Sequence, residues 1–172
     1  MSITTKVCKV EDLERLRDLS ITTYVETFDE FNSKENMDEY LGRAYDAKKL
    51  KRELEDGNVT FMFAYYENNL AGYIKFNESP NQTEINDAKS LEVERLYVLK
   101  AYQDKGIGRY LMELAINTAK KRNKEYIWLG VWERNFKAQR FYNRYGFYRI
   151  GEHIFPMGDD PQIDYILRKD LL

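Results

Sequence analysis

Several residue types are scarce in this chain of 172 residues, and each shortage narrows what the protein can be. Cys8 is the only cysteine, so no intramolecular disulfide can form, which suits a reducing compartment. His153 is the only histidine, which excludes a histidine-rich zinc site, and we predict no metal. Three prolines and nine glycines form no linker, so we predict a single domain over residues 1–172.

An excess of one charge and long apolar runs are missing as well. Lysine and arginine total 27 against 29 acidic residues, so the chain lacks the basicity that nucleic-acid binders use. No stretch approaches the length of a membrane-spanning helix, and no positively charged N-terminal segment precedes an apolar run. We therefore expect a cytoplasmic protein with neither nucleic acid nor membrane as its partner.

Hydrophobic spacing predicts helices and strands in mixed order around a largely antiparallel sheet, an α/β (α+β) fold class. Helices are predicted after Asp12, after Ser33, over residues 46–55 and over residues 107–119. Strands are predicted at residues 4–10, 60–66, 70–76, 91–98, 126–132, 147–155 and 163–168. A loop is predicted over residues 77–90, and a turn over residues 158–161.

The most informative pattern is the strand at residues 91–98 followed by a glycine-bearing turn and an amphipathic helix. The first N–H groups of a helix have no intrahelical partner and carry partial positive charge, so they bind anions. Glycines at this point let a phosphate approach the backbone. The pattern lacks the G-K-S/T of a Walker loop and the third glycine of a dinucleotide fingerprint. We predict a phosphorylated cofactor bound by Gln103, Asp104, Lys105, Gly106, Ile107, Gly108 and Arg109.

A second motif follows the predicted strand at residues 126–132. Its members are Asn135, Ala138, Phe141, Tyr142, Gly146 and Phe147. In order and separation, this motif and the preceding Q-x-x-G-x-G resemble the two acetyl-CoA motifs of the GCN5-related N-acetyltransferase (GNAT) superfamily. Segments at residues 91–98 and 127–133 are also similar to the PaiA-type spermine/spermidine acetyltransferases of bacteria. The same holds for residues 35–37 with 40–41 and for residues 157–159 with Gln162 and Asp164.

The resemblance implies the GNAT acyl-CoA N-acyltransferase fold, a mixed, mostly antiparallel sheet flanked by helices, with a bulge in the strand at residues 91–98. It also implies acetyl-CoA as co-substrate and direct attack by an amine within a ternary complex. The pantetheine arm is then expected at the main chain of Leu96, Tyr97 and Val98 and at the Asn135 side chain. Arg144 is expected to reach a phosphate or to be solvated. Gln103 replaces the more common arginine of the motif, which weakens one phosphate contact.

Acetyl transfer to an amine requires acid–base groups, and two kinds are present. An alkyl ammonium must lose a proton before it can attack, and Glu92 and Glu94 lie two apart on the strand. By the family's usual placement we slightly favour Glu94 as base over Glu92, directly or through water; the alternative is solvation or pairing with Arg95. Tyr142 is protonated at neutral pH and is the predicted general acid, unless it only packs beside Phe141.

A polyamine acceptor needs several carboxylates along a groove, and aromatic rings can flank its ammonium groups. The predicted carboxylates are Glu92, Glu94, Asp29, Glu30, Glu35, Asp38 and Glu39. The predicted rings are Tyr24, Tyr40 and Trp132. We therefore predict a polyamine N-acetyltransferase acting on spermidine or spermine. A protein or peptide acetyltransferase and a non-catalytic CoA-binding regulator are the alternatives, and a homodimer is compatible with the resemblance.

Overall fold

The computed structural model describes residues 2–171, and its strands form one seven-stranded sheet in the order β1-β2-β3-β4-β5-β7-β6. The strands are β1 (Ile3–Val7), β2 (Val59–Tyr66), β3 (Asn69–Asn77), β4 (Ser90–Val98), β5 (Tyr126–Trp132), β6 (Tyr148–Met157) and β7 (Asp160–Asp170). The helices are α1 (Leu13–Phe28), α2 (Lys34–Ala44), α3 (Ala47–Glu55), α4 (Ile107–Lys121) and α5 (Phe136–Arg144).

The sheet is antiparallel except where β4 and β5 run parallel, so the predicted fold class is confirmed. This parallel ladder is short, running from the pair Ser90–Tyr126 to the pair Glu92–Trp128. Beyond these pairs the two strands separate, while β4 stays paired with β3 and β5 with β7. The separation leaves an opening inside the sheet, bordered by residues 93–98 and 129–132.

Two predicted boundaries are corrected. The first strand ends at Val7, and Val10 begins a short 3-10 turn. The last hairpin has a turn of two residues, with Gly158 at a positive φ of 62°, and Pro161 belongs to β7. Proline is tolerated there because Pro161 lies beyond the last β5–β7 pair, at Asp164, where β7 has a neighbour on one side only.

Each face of the sheet carries its own hydrophobic core. The core under α4 and α5 contains Leu91, Val93, Ile107, Leu111, Ala115, Ile127 and Leu129. The core under α1, α2 and α3 contains Leu16, Tyr24, Met37, Leu50, Phe61, Phe63 and Tyr73. Amphipathic helices therefore cover both faces of the sheet. Within residues 2–171, no helix combines the length and the apolar character needed to cross a membrane.

A β-bulge interrupts the pairing of β3 with β4, as the resemblance implied. Lys75 pairs with Arg95 and Phe76 with Val93, so Glu94 is an extra residue on β4. The extra residue reverses the alternation of side chains along the strand.

The consequence is visible in the two cores. Val93 before the bulge and Leu96 and Val98 after it all pack on the α4 side, although their spacing alone would separate them. Tyr97 packs on the α1–α3 side. Glu92 and Glu94 are therefore free of the α4 core, and the aliphatic residues after the bulge turn away from them.

Candidate active site

A cavity of about 630 Å³ occupies the opening between β4 and β5. It extends from the start of α4 to a chamber bounded by α1, α2, β6 and β7. The predicted site residues that line it are Glu92, Glu94, Leu96, Tyr97, Val98, Gln103, Asp104, Gly106, Ile107, Gly108, Arg109, Asn135, Tyr142 and Arg144. Lys105 is not among the lining residues, and its ammonium lies 5.6 Å from the centroid of the Tyr66 ring.

The end of the cavity at α4 suits an anion. Side-chain oxygens of Ser33 and Asp46 cap helices α2 and α3, whereas no side chain in the described part of the chain caps α4. Gly106 stands at its N-cap position with a φ of 85°, a conformation that favours glycine. The first N–H groups of α4 are therefore open toward the cavity, together with its positive dipole end.

Gly108, in the first turn of α4, and Gln103, which precedes the helix, define how open the entrance is. A Cβ atom on Gly108 would meet only the Phe141 ring, at 3.8 Å, so the glycine keeps space free in front of α4. Gln103 turns toward the strand instead: its Nε2 donates to the Val98 carbonyl at 3.2 Å, and its Oε1 accepts from Lys137 Nζ at 3.4 Å. The Gln103 amide therefore already occupies the Val98 carbonyl at the end of β4.

Helix α5 and its N-cap bring three predicted residues to the cavity: Asn135, Tyr142 and Arg144. Asn135 caps the helix, its Oδ1 accepting from the Ala138 N–H at 3.2 Å. The Tyr142 ring packs edge-on against Phe141 and Phe147, with centroids at 5.4 and 5.8 Å. Burial raises the pKa of Tyr142 to about 12. The phenol therefore holds its proton at neutral pH and can act as a donor.

Glu94 is held by cations. Its carboxylate accepts from Lys75 Nζ at 2.9 Å and from Asn77 Nδ2 at 2.8 Å, and it lies 3.2 Å from Arg95 Nη2. Lys75 also contacts Glu53 of α3. Burial acts to raise the pKa of Glu94, but the charges of Arg95 and Lys75 outweigh it and lower the value to about 2. The carboxylate is therefore a poor proton acceptor near neutral pH.

Glu92 has the opposite environment. Its side chain accepts from Asn77 Nδ2 and the Thr83 N–H, each at 2.9 Å, and from Thr83 Oγ1 at 2.5 Å. No cation contacts it among the described residues, and the residue is 2% exposed. Burial raises its pKa, and the charge of Glu94 adds to the effect. Two neighbouring carboxylates thus have pKa values displaced in opposite directions, a pattern associated with separate chemical roles.

Aromatic rings line the chamber on the α1–α3 side. Tyr24 and Tyr40 stack with centroids 4.4 Å apart, and Phe28 meets Trp132 edge-on at 6.0 Å. Tyr24, Tyr40 and Trp132 line the cavity as predicted. The helical carboxylates do not, because their side chains point to solvent. These are Asp29, Glu30, Glu35, Asp38 and Glu39, and their assignment to the acceptor groove is wrong.

Three titratable residues outside the predicted set of site residues complete the chamber: Glu84, His153 and Asp164. His153 Nδ1 lies 2.5 Å from Glu84 Oε1. Asp164 pairs in register with His153 on one side and Trp132 on the other. Burial raises the pKa of Asp164 to about 6. Alternation along β7 could have placed Asp164 on one face, but only the strand order shows that this face borders the cavity.

Known proteins share both the sequence pattern and the fold. The profile of the acetyltransferase (GNAT) family matches residues 13–147. An uncharacterized N-acetyltransferase in the pepI 3′ region of Lactobacillus delbrueckii subsp. lactis is 36% identical over 162 residues, 94% of each chain. A spermidine N(1)-acetyltransferase of Thermoplasma acidophilum is 26% identical over 151 residues, 86% of this chain and 89% of that protein. The crystal structure of the PaiA N-acetyltransferase of T. acidophilum in complex with coenzyme A matches with a TM-score of 0.77, 24% identity and 99% of both chains.

Proposed function

Because the chain belongs to the acetyltransferase (GNAT) family and is an acetyl-CoA-dependent N-acetyltransferase, we propose that it acetylates a primary amine of a polyamine such as spermidine. The observation that carries this proposal is the continuous cavity, which joins an anion-binding helix start to a chamber of carboxylates and aromatic rings. A polyamine is a flexible polycation, and such a chamber suits it. The similarity to a spermidine N(1)-acetyltransferase supports the acceptor class. We propose one catalytic domain, working in the cytoplasm.

The lining residues fit acetyl-CoA. The opening leaves the edge of β4 at residues 96–98 without a β5 partner, so an extended arm could pair there once the Gln103 amide releases the Val98 carbonyl. The N–H groups of residues 103–109 would hold the pyrophosphate, with Arg109 and Arg144 adding charge. Asn135 retains its Nδ2 donors after capping α5. When bound, acetyl-CoA supplies the acetyl group, whose bond to sulfur breaks as the bond to the acceptor nitrogen forms.

We assign the general base to Glu92, which revises the sequence-based preference for Glu94. The acceptor ammonium must transfer a proton to a general base, directly or through water. This transfer is more favourable when the pKa of the base is higher. The pKa of Glu92 is raised and that of Glu94 is lowered, so the driving force favours Glu92. Glu94 instead balances the buried charges of Lys75 and Arg95.

Tyr142 is the proposed general acid. Tyr142 lines the same cavity as Glu92 but belongs to α5, on the other side of the opening. Because its pKa is raised, the Tyr142 hydroxyl keeps its proton at neutral pH and can donate it to the departing thiolate sulfur. The acceptor thus loses a proton on the β4 side while the sulfur gains one on the α5 side.

The phosphate site gives a direct prediction. We expect Gly108→Val to raise the KM for acetyl-CoA by about tenfold and to leave kcat at saturation nearly unchanged, since a branched side chain would fill the space in front of α4. Calorimetric titration with CoA measures the same loss as a Kd. Gly42→Val is the matched control, because Gly42 lies in α2 away from the cavity. Equal CoA affinity in the Gly108 variant and the wild type would refute the phosphate assignment.

The acceptor class is tested by the rate of CoA release from acetyl-CoA with spermidine, with a lysine peptide and with no acceptor. We expect a saturable rate with spermidine. Turnover with the lysine peptide alone would show that the acceptor is a protein or peptide and not a polyamine, and it would leave the fold assignment unchanged. Tight CoA binding with no turnover for either acceptor would favour the non-catalytic regulator.

A further inference from the structure

Asp164 is a carboxylate of the cavity that no hydrogen bond or ion pair of the described residues compensates; the one attractive charge acting on it there is that of His153, which lowers the pKa of Asp164 by less than burial raises it. Glu94 is held by Lys75 and Arg95, Glu92 receives hydrogen bonds, and Glu84 faces His153. No hydrogen bond or ion pair joins Asp164 to any other residue within 2–171. A desolvated carboxylate in this state is costly unless a cation or donor meets it, and none of the lysines or arginines of residues 2–171 does.

The surroundings of Asp164 suit an organic cation. Trp132 is its partner across the β5–β7 ladder, and Tyr24 and Phe28 of α1 line the same part of the cavity. Aromatic faces attract alkyl ammonium groups, most strongly where water is excluded. A Cβ atom on Gly130 would stand 3.8 Å from Asp164 Oδ2, so the absence of a side chain at Gly130 leaves space beside the carboxylate.

The register places Asp164 far from the proposed base. Glu92 pairs with Trp128, and Asp164 pairs with Trp132, four residues further along β5 and one strand beyond it. The spacing of residues and strands separates the Cα atoms of Glu92 and Asp164 by roughly 16 Å. That separation suits two different nitrogen atoms of a long acceptor rather than two contacts to one ammonium.

We propose that Asp164 binds a second, non-reacting ammonium group of the acceptor and thereby selects polyamines over monoamines. This inference rests on the proposed function for the identity of the acceptor. Asp164 is a positioning residue in this scheme, because the bond-forming nitrogen lies near Glu92. Burial of the carboxylate, with a pKa raised to about 6, also implies that it is charged at neutral pH and becomes neutral in mild acid.

The test compares wild type, Asp164→Asn and the control Glu152→Gln. Glu152 also lies on the β6–β7 hairpin, next to His153, but is exposed, pairs with Arg149 and does not line the cavity. We expect Asp164→Asn to raise the KM and the calorimetric Kd for spermidine about tenfold, with kcat nearly unchanged, and to leave a propylamine acceptor unaffected. The control is expected to match wild type for both amines.

A pH series adds a readout that a purely structural role would not move. Spermidine binding to wild type should weaken as the pH falls from 7.5 to 5.5, because Asp164 takes up a proton, and Asp164→Asn should lack that component. His153 of β6, Glu84 of the loop before β4 and Tyr24 of α1 also face this region and are unchanged in the variant. The difference between the two profiles therefore reports on Asp164.

The outcomes separate the two proposals. Spermidine binding that depends on Asp164 without any turnover would sustain this inference and refute the proposed function. Spermidine turnover with equal KM and Kd in wild type and Asp164→Asn would sustain the function and overturn this inference. A wild type that does not bind spermidine would overturn the inference as well.

Discussion

Glu92→Gln is expected to lower kcat/KM for the polyamine by about 100-fold at neutral pH, the usual contribution of a general base. Glutamine preserves the size of the side chain and can still accept from the Thr83 N–H, but it takes up no proton. In the wild type, activity should rise with pH through the raised pKa of Glu92 as the carboxylate forms. The Glu92→Gln variant should not show this rise. Its activity should increase only at a pH high enough for a substantial fraction of the acceptor amine to be deprotonated already. The pH dependence of kcat/KM measures both effects.

Glu94→Gln is the control for the assignment of the base. Removing this charge leaves Lys75 and Arg95 without their shared partner, so we expect the fold to lose roughly 3 kcal/mol of stability, as broken buried pairs do. The pH limb assigned to Glu92 should remain but move to lower pH, because the charge of Glu94 no longer helps to raise the pKa of Glu92. If instead the limb disappears in Glu94→Gln and survives in Glu92→Gln, Glu94 is the base and the assignment is reversed.

Tyr142→Phe is expected to lower kcat by about 100-fold while the affinity for acetyl-CoA stays close to that of the wild type. Phenylalanine retains the ring contacts with Phe141 and Phe147, so the loss isolates the hydroxyl proton. Steady-state kinetics with acetyl-CoA give the two parameters. An acetyl thioester of a more acidic thiol should show a smaller loss, because its sulfur needs less help from a proton donor.

Tyr145→Phe provides the comparison within the same segment. Tyr145 follows α5 directly and contacts the Phe141 ring at 5.3 Å, but it does not line the cavity. We expect its kcat to match that of the wild type. A Tyr142→Phe enzyme with unchanged kcat would reduce Tyr142 to a packing role, the alternative left open by its sequence.

The lining of the cavity end proposed for the cofactor could be predicted because its determinants lie in short continuous segments of the sequence. The turn before α4 and the motif on α5 each place their residues through local helix geometry, so spacing along the chain is enough. Every lining residue predicted there lies in one of these two segments or at the end of β4, which comes shortly before the turn. Lys105 departs from the set because side-chain direction at a turn is not fixed by spacing.

The end of the cavity proposed for the acceptor could be predicted only in part: the rings of Tyr24, Tyr40 and Trp132 line it as expected, but other determinants come from pairing between distant strands. Asp164 meets Trp132 only through the β5–β7 register, and Glu84 meets His153 across a loop with no pattern of its own. The choice between Glu92 and Glu94 likewise depends on Lys75 from β3. The acidic residues at the first two helices show the opposite error: they were predicted to line the cavity, but their side chains point to solvent, where charge mainly supports solubility.

The extra residue at Glu94 makes the length of β4 as informative as its composition. A relative with one residue fewer between Glu92 and Leu96 would pair with β3 without a bulge and keep Leu96 on the α4 side, but it would lack the position at which this protein carries Glu94, the partner of Lys75 and Arg95. Alignment of other chains to this one should therefore treat a gap in that stretch as a change of chemistry, even where every flanking residue is identical.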